Sequence, residues 1–242
     1  EPNNEHSLAH NFVRTVFEDS KGHLLIGTYI GIQMYDPGTD NFTPLAKLED
    51  TGETLESNIN SFIERKNGEI WVSGNVLCKL DIKDHLLTVR KVDIAVTSPG
   101  SLFEDKKQNV WMAKGEEGVY QLTPDNQLTL HLSKDNGYVK SICEDQRGNI
   151  YVGSIRKGLF IYEKERKTFV PVDLKEKGEL PVCFLYSGIP NELYIGTDGK
   201  GVAIYNIRTH EISEYKFDNN YFDSGNSKIH SILKDNSGNL WL

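Results

Sequence analysis

The residues of this 242-residue sequence best suited to acid–base chemistry are paired carboxylates. They are Glu18-Asp19, Glu104-Asp105 and Glu144-Asp145. Two neighbouring carboxylates can share a reaction when their surroundings separate their pKa values. These pairs, however, recur at the same position in three of the repeats, whereas a catalytic pair is expected at one place only. We therefore predict that they cap turns, and we predict no catalytic residue.

The remaining reactive side chains do not form a recognisable site. Seven histidines are scattered along the chain, and no HExxH, phosphate-binding loop or GxSxG motif is present. The three cysteines, Cys78, Cys143 and Cys183, are odd in number and widely spaced, so neither a disulfide framework nor a zinc site is indicated. We predict that they are small core residues, and that the chain binds no metal and no cofactor.

Charge and hydropathy exclude two classes of partner. The net charge is −8 and no basic stripe interrupts it, so a nucleic acid partner is not expected. No run of about 18 apolar residues exists, and we predict no membrane-spanning segment.

The sequence repeats itself about six times. The residue that follows a Gly-Asn type turn is Leu25, Trp71, Trp111, Tyr151, Tyr194 and Trp241 in successive units, spaced by 46, 40, 40, 43 and 47 residues. The units cover residues 13–45, 59–90, 99–132, 139–172, 182–215 and, in part, 229–242. Periods of this length are typical of propellers and other repeat architectures.

Each unit is built of four short β-strand patterns. In the fourth unit, Val139–Cys143 is followed by an Asp145–Asn149 turn, and IYVG, GLFIY and TFVPV supply three more strands. This predicts an all-β protein, a β-propeller of four-stranded antiparallel blades. About five and a half blades are present, so we expect an incomplete propeller fragment. The aromatic residues after the turns, Trp71, Trp111 and Trp241 among them, are predicted to pack between blades.

The units resemble the two-component regulator propeller repeat. VRTVFEDSKGHLLIGTYIGIQMYDP and ICEDQRGNIYVGSIRKGLFIYE are similar to that repeat's pattern V-x-x-I-x-E-D-x-x-G-N-L-W-I-G-T-x-x-G-L-x-x-Y-D-P. The resemblance extends from Val13 to Leu242. Three units depart from it, with Arg65 in place of Asp, Gln108 in place of Gly, and SGIPNE in place of the acidic turn. These departures bring the local turn geometry into question.

The resemblance implies a place in signalling. Repeats of this kind form the periplasmic sensor region of hybrid two-component systems, in which a histidine kinase, a receiver and a DNA-binding part lie elsewhere in the receptor. The implied role is recognition of an oligosaccharide that switches on polysaccharide-utilisation genes. The implied partners are the remaining blades and sensor domains of the same receptor, and a homodimer is left open.

Candidate ligand-binding residues lie where the repeats differ. The linkers between units and the second-to-third strand turns are expected on one face, and loops on one face of a rigid scaffold commonly carry function. Polar residues at the second position of the first strands are Arg14, Asn60, Lys140 and His230. Aromatic and basic candidates from linkers and turns are Tyr138, Arg156, Tyr221 and Phe222, with Tyr29 and Lys200 on the same face.

Two other functions remain open at this point. Propellers also host lyases and hydrolases, for which a metal at the channel mouth is expected. The third alternative is a dimerisation scaffold that binds no ligand. Fold by itself does not distinguish the three, because one fold hosts many functions.

Overall fold

The computed structural model describes residues 6–132, 137–174, 180–216, 227–235 and 237–242. The regular structure within these ranges is β-strand. Among these residues, no helix has the length and apolar character needed to cross a membrane. The chain divides into two compact units, Glu1–Glu104 and Asp105–Leu242, and each is described separately.

Unit 1 contains two complete sheets and the first strand of a third. Its strands are β1 (Val13–Glu18), β2 (Leu24–Thr28), β3 (Ile32–Asp36), β4 (Asn41–Phe42), β5 (Lys47–Leu48), β6 (Ser61–Glu64), β7 (Ile70–Ser73), β8 (Leu77–Lys83), β9 (Leu86–Lys91) and β10 (Leu102–Glu104).

Unit 2 contains the remaining strands. They are β11 (Val110–Lys114), β12 (Gly118–Leu122), β13 (Leu128–Leu132), β14 (Val139–Glu144), β15 (Ile150–Ser154), β16 (Gly158–Glu163), β17 (Thr168–Pro171), β18 (Val182–Ile189), β19 (Glu192–Thr197), β20 (Val202–Asn206), β21 (Ile212–Glu214), β22 (Leu233–Lys234) and β23 (Leu240–Trp241).

The strands form five sheets of the blade type and one partial sheet. Four sheets have sequential order, namely β1-β2-β3-β4, β10-β11-β12-β13, β14-β15-β16-β17 and β18-β19-β20-β21. The second sheet, β5-β9-β8-β7-β6, gains a linker strand, because β5 pairs in parallel with β9. The described part of the last repeat forms only β22-β23. The predicted fold class, a β-propeller of four-stranded antiparallel blades with a partial sixth, is confirmed.

The acidic turns are held by one aspartate each. Asp145 Oδ1 accepts the backbone N–H of Arg147 at 2.8 Å and of Asn149 at 2.9 Å, and Oδ2 accepts the Asn149 side-chain amide at 2.8 Å. Asp105 makes the same three bonds in the third repeat. These carboxylates are buried and satisfy turn donors, so their predicted structural role is confirmed.

The three departures from the repeat pattern keep a turn by different means. Gln108 takes the left-handed conformation of the glycine that it replaces, with φ +66°. In the fifth repeat a two-residue turn at Pro190-Asn191 joins β18 to β19, with φ +60° at Asn191. In the second repeat the Gly68 N–H donates to the Arg65 carbonyl at 2.8 Å and closes the turn, and the guanidinium of Arg65 lies 4.6 Å from the centre of the Trp71 ring.

In the second repeat Glu69 replaces the missing aspartate as the acceptor of the indole N–H. Its carboxylate accepts the Trp71 indole N–H at 3.0 Å and the ammonium of Lys79 at 2.6 Å. Burial opposes ionisation of Glu69, but these hydrogen bonds outweigh it and lower its pKa to about 2.

The core of each unit lies between neighbouring sheets. In unit 1 buried residues of the first two sheets, such as Leu25, Met34 and Phe62, form one cluster. In unit 2 the indole of Trp111 packs edge-on against Tyr162 and Phe169 of the next sheet, at centroid distances of 5.1 and 5.8 Å. Trp111 therefore packs between blades, as predicted.

The prediction for Trp241 is wrong. Its side chain is 62% exposed, because its sheet has only two described strands and no described element covers the ring. Its indole N–H still donates to Asp235 Oδ2 at 3.0 Å. The three cysteines are free and buried, as predicted for core residues.

Candidate ligand-binding site

A hydroxyl residue at the end of the second strand shapes each turn that carries candidate residues. In unit 1 the buried Thr28 donates through Oγ1 to the Gly31 carbonyl at 3.1 Å and accepts the Ile30 N–H at 3.2 Å. In unit 2 Thr197 makes the equivalent bonds to Gly201 and Lys200. These bonds hold the turn tips rigid and present the residues between them to solvent.

The linkers lie beside these turns, as predicted. In unit 1 the Asn75 N–H donates to Ser57 Oγ at 3.0 Å. In unit 2 the Ile155 N–H donates to the Tyr138 carbonyl at 2.9 Å, and the Asp198 N–H donates to the Pro181 carbonyl at 2.9 Å. Residues from turns and linkers therefore meet within each unit.

An exposed aromatic platform lies in unit 1. It consists of His10, Phe12 and Tyr29. Phe12 is 59% exposed and meets Tyr29 edge-on at 6.3 Å, and the His10 ring lies 5.8 Å from Tyr29. The Tyr29 N–H donates to the Phe12 carbonyl at 3.2 Å, and the Phe12 N–H donates to His10 Nδ1 at 3.0 Å, which fixes the three residues relative to one another.

The platform joins one predicted residue to two that the sequence analysis missed. Tyr29 was predicted at a turn tip, whereas His10 and Phe12 precede the first repeat and were not singled out. The sequence signal that could have identified Phe12 is an aromatic residue immediately before β1, at a position where packing in a core is not expected. Arg14 is also exposed and lies on β1, two positions after Phe12.

In unit 2 the structure brings together two of the predicted residues, Tyr138 and Arg156. The ring of Tyr138 lies over Gly115, where a Cβ would stand 3.0 Å from Tyr138 Cε2. Arg156 Nη1 pairs with Glu116 Oε1 at 3.1 Å, and both side chains are more than 60% exposed. An ion pair this exposed contributes little to stability, so both groups are available to a polar ligand.

In unit 2 the charged groups of Lys140, Asp198 and Lys228 lie near the buried thiol of Cys183. The Cys183 thiol is buried and its pKa is raised by that burial, while the nearby charges of Lys140 and Lys228 act in the opposite direction. Lys228 Nζ lies 3.0 Å from Asp198 Oδ2, and this hydrogen bond raises the Lys228 pKa.

The other predicted residues are placed as follows. Asn60 donates its amide to the Pro99 carbonyl at 3.0 Å, so that group already has a structural partner. His230 is exposed next to the buried Ile229. Tyr221 and Phe222 lie outside the described residues.

Two further features bear on the chemistry. A shallow depression that is open to solvent lies at the acidic turns of unit 2 beside Asp145, Arg147 and Asn191. Within the described ranges, no group of three or more His, Cys, Asp or Glu residues is placed to hold a metal ion.

Residues 7–29 and 133–156 match a family model described as two component regulator propeller. These two segments of the chain thus match the two-component regulator propeller repeat. The predicted resemblance is thereby confirmed at the first repeat, which contains Tyr29, and at the fourth. A comparison with curated proteins found no match.

Solved structures similar to these propeller repeats include two from B. thetaiotaomicron. The extracellular domain assigned to hybrid two component system BT4673 is 17% identical, with a TM-score of 0.76 over 99% of this chain and 34% of that one. The domain assigned to BT3049 is 20% identical, with a TM-score of 0.78 over 96% of this chain and 32% of that one. The chain thus spans about a third of these relatives.

An enzyme is also structurally similar. Virginiamycin B lyase from Staphylococcus aureus is 14% identical, with a TM-score of 0.71 over 99% of this chain and 78% of that one. At this identity the likeness concerns the fold, which many unrelated functions share.

Proposed function

We propose that this chain is a ligand-sensing propeller segment from the extracytoplasmic, periplasmic part of a hybrid two-component receptor. The observation that carries the proposal is the match of its repeats to the two component regulator propeller model. The similarity of 96% or more of the chain to extracellular domains of hybrid two component systems supports it. The segment itself performs no catalysis, and histidine kinase activity lies elsewhere in the receptor.

The ligand is an oligosaccharide, and the aromatic platform of unit 1 is its contact surface. Aromatic rings are seldom exposed at positions where they do not pack in a core. A sugar ring has an apolar face and polar edges, so it suits a surface where an aromatic ring lies beside polar groups. Phe12 and Tyr29 expose more than half of their side chains. Arg14 would bind hydroxyl or carboxylate groups at the edge of the stacked sugar.

The unit 2 residues Tyr138, Arg156, Lys140 and His230 are proposed as a separate set of polar and aromatic ligand contacts within that unit. Arg156 is held by Glu116 through an exposed ion pair that a carboxylate of the ligand can replace. Binding would regulate polysaccharide-utilisation genes through the remaining domains of the receptor.

The platform is tested by titration calorimetry of the chain against neutral and acidic oligosaccharides. Phe12→Ala and Tyr29→Ala are expected to weaken binding at least tenfold each, because each removes one stacking surface. The matched control is Leu86→Ala, which removes an apolar side chain of similar exposure (64%) from a hairpin. Equal affinity in all four proteins would remove the platform from the proposal.

The enzyme alternative is tested on the same proteins. Metal-dependent turnover of any oligosaccharide by the wild-type chain would replace the sensor proposal. Binding without turnover supports it. Concentration-dependent association with no oligosaccharide binding would instead favour the dimerisation scaffold.

A further inference from the structure

A buried glutamine holds the segment that leads to the aromatic platform of unit 1. Gln33 lies on β3 and is only 2% exposed. Its Oε1 accepts the backbone N–H of Ala9 at 2.7 Å, and its Nε2 donates to the Thr43 carbonyl at 2.8 Å and to the Ser7 carbonyl at 3.4 Å. Because a backbone N–H can only donate and a carbonyl can only accept, these partners fix the orientation of the amide.

An amide at this position of the third strand is specific to the first repeat. The equivalent residues of the next four repeats are Cys78, Tyr120, Phe160 and Ala203. Three of them, Cys78, Phe160 and Ala203, are at most 3% exposed, so the blade can bury an apolar side chain here. A buried amide costs free energy unless it is hydrogen-bonded. The blade itself therefore does not need Gln33, and the role of Gln33 lies in the segment that it binds.

The same β2–β3 hairpin binds this segment a second time. The Tyr29 N–H, in the turn that precedes β3, donates to the Phe12 carbonyl at 3.2 Å. The stretch that begins at Ala9 is thus tied at one end to Gln33 and at the other end to the turn. Between the two ties, the Phe12 N–H donates to His10 Nδ1 at 3.0 Å. A short series of hydrogen bonds therefore connects all three rings of the platform to one hairpin.

A third tie lies earlier in the segment. The Phe42 N–H of β4 donates to the His6 carbonyl at 2.9 Å. This bond is three residues before Ala9, so it holds the start of the segment against the sheet without fixing the stretch that carries the rings. Loss of the Gln33 bonds should therefore loosen the platform and leave the start of the segment in place.

We propose that Gln33 is a positioning residue for ligand binding, which holds Ala9 so that His10, Phe12 and Tyr29 form one surface. The inference rests on the proposed function, in which this surface binds an oligosaccharide. Gln33 itself does not touch the ligand, because its side chain is buried. It acts through the rings, since side chains that are already fixed lose less conformational entropy on binding than mobile ones do.

Gln33→Leu tests the positioning. Leucine suits a position that is apolar in other repeats, and it removes both bonds to the segment. We expect the nuclear Overhauser effect (NOE) between the rings of Phe12 and Tyr29, whose centroids lie 6.3 Å apart, to be lost. The NOE between Phe17 and Phe62, which stack at 5.9 Å in the same unit, is the internal control and should remain.

Titration calorimetry measures the consequence for binding, with maltohexaose as the neutral probe and tetragalacturonate as the acidic one. Gln33→Leu should weaken the binding of a probe that the wild-type chain binds by roughly tenfold or more. The matched control is Thr43→Val. It removes the buried hydroxyl that accepts the Met34 N–H at 2.9 Å, but it keeps the backbone carbonyl to which Gln33 donates. The control should lower the Tm and leave both the affinity and the Phe12–Tyr29 NOE unchanged.

Ala9→Pro tests the same hydrogen bond from outside the core, because it removes the donated N–H from an exposed residue. It decides the question if Gln33→Leu does not fold. A wild-type NOE in the folded variant, or a lost NOE with unchanged affinity, would overturn the proposal. If the wild-type chain binds neither probe, that result counts against the proposed function, whereas the NOE still shows whether Gln33 positions the platform.

Discussion

The indole N–H of Trp111 donates to Asp105 Oδ2 at 2.9 Å, so the buried aromatic ring and the acidic turn of the third repeat form one hydrogen-bonded unit. The aspartate that begins the turn thereby also orients the ring that packs against the next blade.

Asp105→Ala is expected to lower the free energy of unfolding by about 3 kcal/mol, because it leaves several buried donors without an acceptor. Urea unfolding of the two proteins measures the loss. The control is Asp235→Ala, which removes the same set of bonds at a solvent-exposed turn and should lower the free energy of unfolding by clearly less than Asp105→Ala does. Equal losses of unfolding free energy in Asp105→Ala and Asp235→Ala would show that burial does not determine how much the turn aspartate contributes to stability.

Stability at acidic pH should depend on Glu69. Its pKa is lowered from 4.5 to about 2 in the folded protein, so its contribution is fully present above pH 4.5 and is lost as the pH falls towards 2. Glu69→Gln removes this titration, and the stability difference between wild type and variant should therefore shrink across that interval. Unfolding curves collected between pH 2 and 5 test this; a difference that stays constant would contradict it.

Gly196→Ala should destabilise unit 2 by about 1–3 kcal/mol, because the new methyl group overlaps Ile229. Ile229→Ala alone should cost about 2–5 kcal/mol through the cavity that it leaves. The double variant should lose less than the sum of the two, since each change relieves the other. A double-mutant cycle measures this coupling, and strict additivity would argue against the contact.

Gly148 and Gln108 occupy the same left-handed turn position, with φ +81° and +66°. Gly148→Ala should cost about 1 kcal/mol, because its Cβ would have room and only the backbone conformation is unfavourable. Gln108→Gly should raise the free energy of unfolding by up to about 1 kcal/mol, because glycine adopts the left-handed conformation without the cost that Gln108 bears. Thermal unfolding measures the Tm of both variants. Tm shifts of the same sign would contradict the explanation that the backbone conformation causes the two stability changes.

The thiols should be unreactive in the folded protein. Burial raises the pKa of Cys78 to about 11 and that of Cys143 to about 12, so very little thiolate exists at neutral pH. We expect no fast-reacting thiol in the native chain and three after denaturation. Rapid labelling of one thiol in the native chain would contradict this prediction and would show that the blade containing that thiol opens to solvent.

The sequence by itself determined the repeat, the strand order within each blade and the structural role of the Asp145 and Asp105 carboxylates. It could do so because turns and strand alternation are local: a turn aspartate binds N–H groups only two and four residues away. The Trp111 position followed from the same periodicity.

Only the tertiary structure decided which repeats are covered by a neighbouring sheet and which side chains contact one another. Trp241 and Val16 occupy positions that are buried in other repeats, yet both are exposed, because burial depends on a neighbouring sheet and not on the residue's own strand. The Glu64 bond to Ser20 joins residues 44 positions apart, and no local pattern specifies it. The His10, Phe12 and Tyr29 platform likewise needs a linker and a turn to be brought together in space.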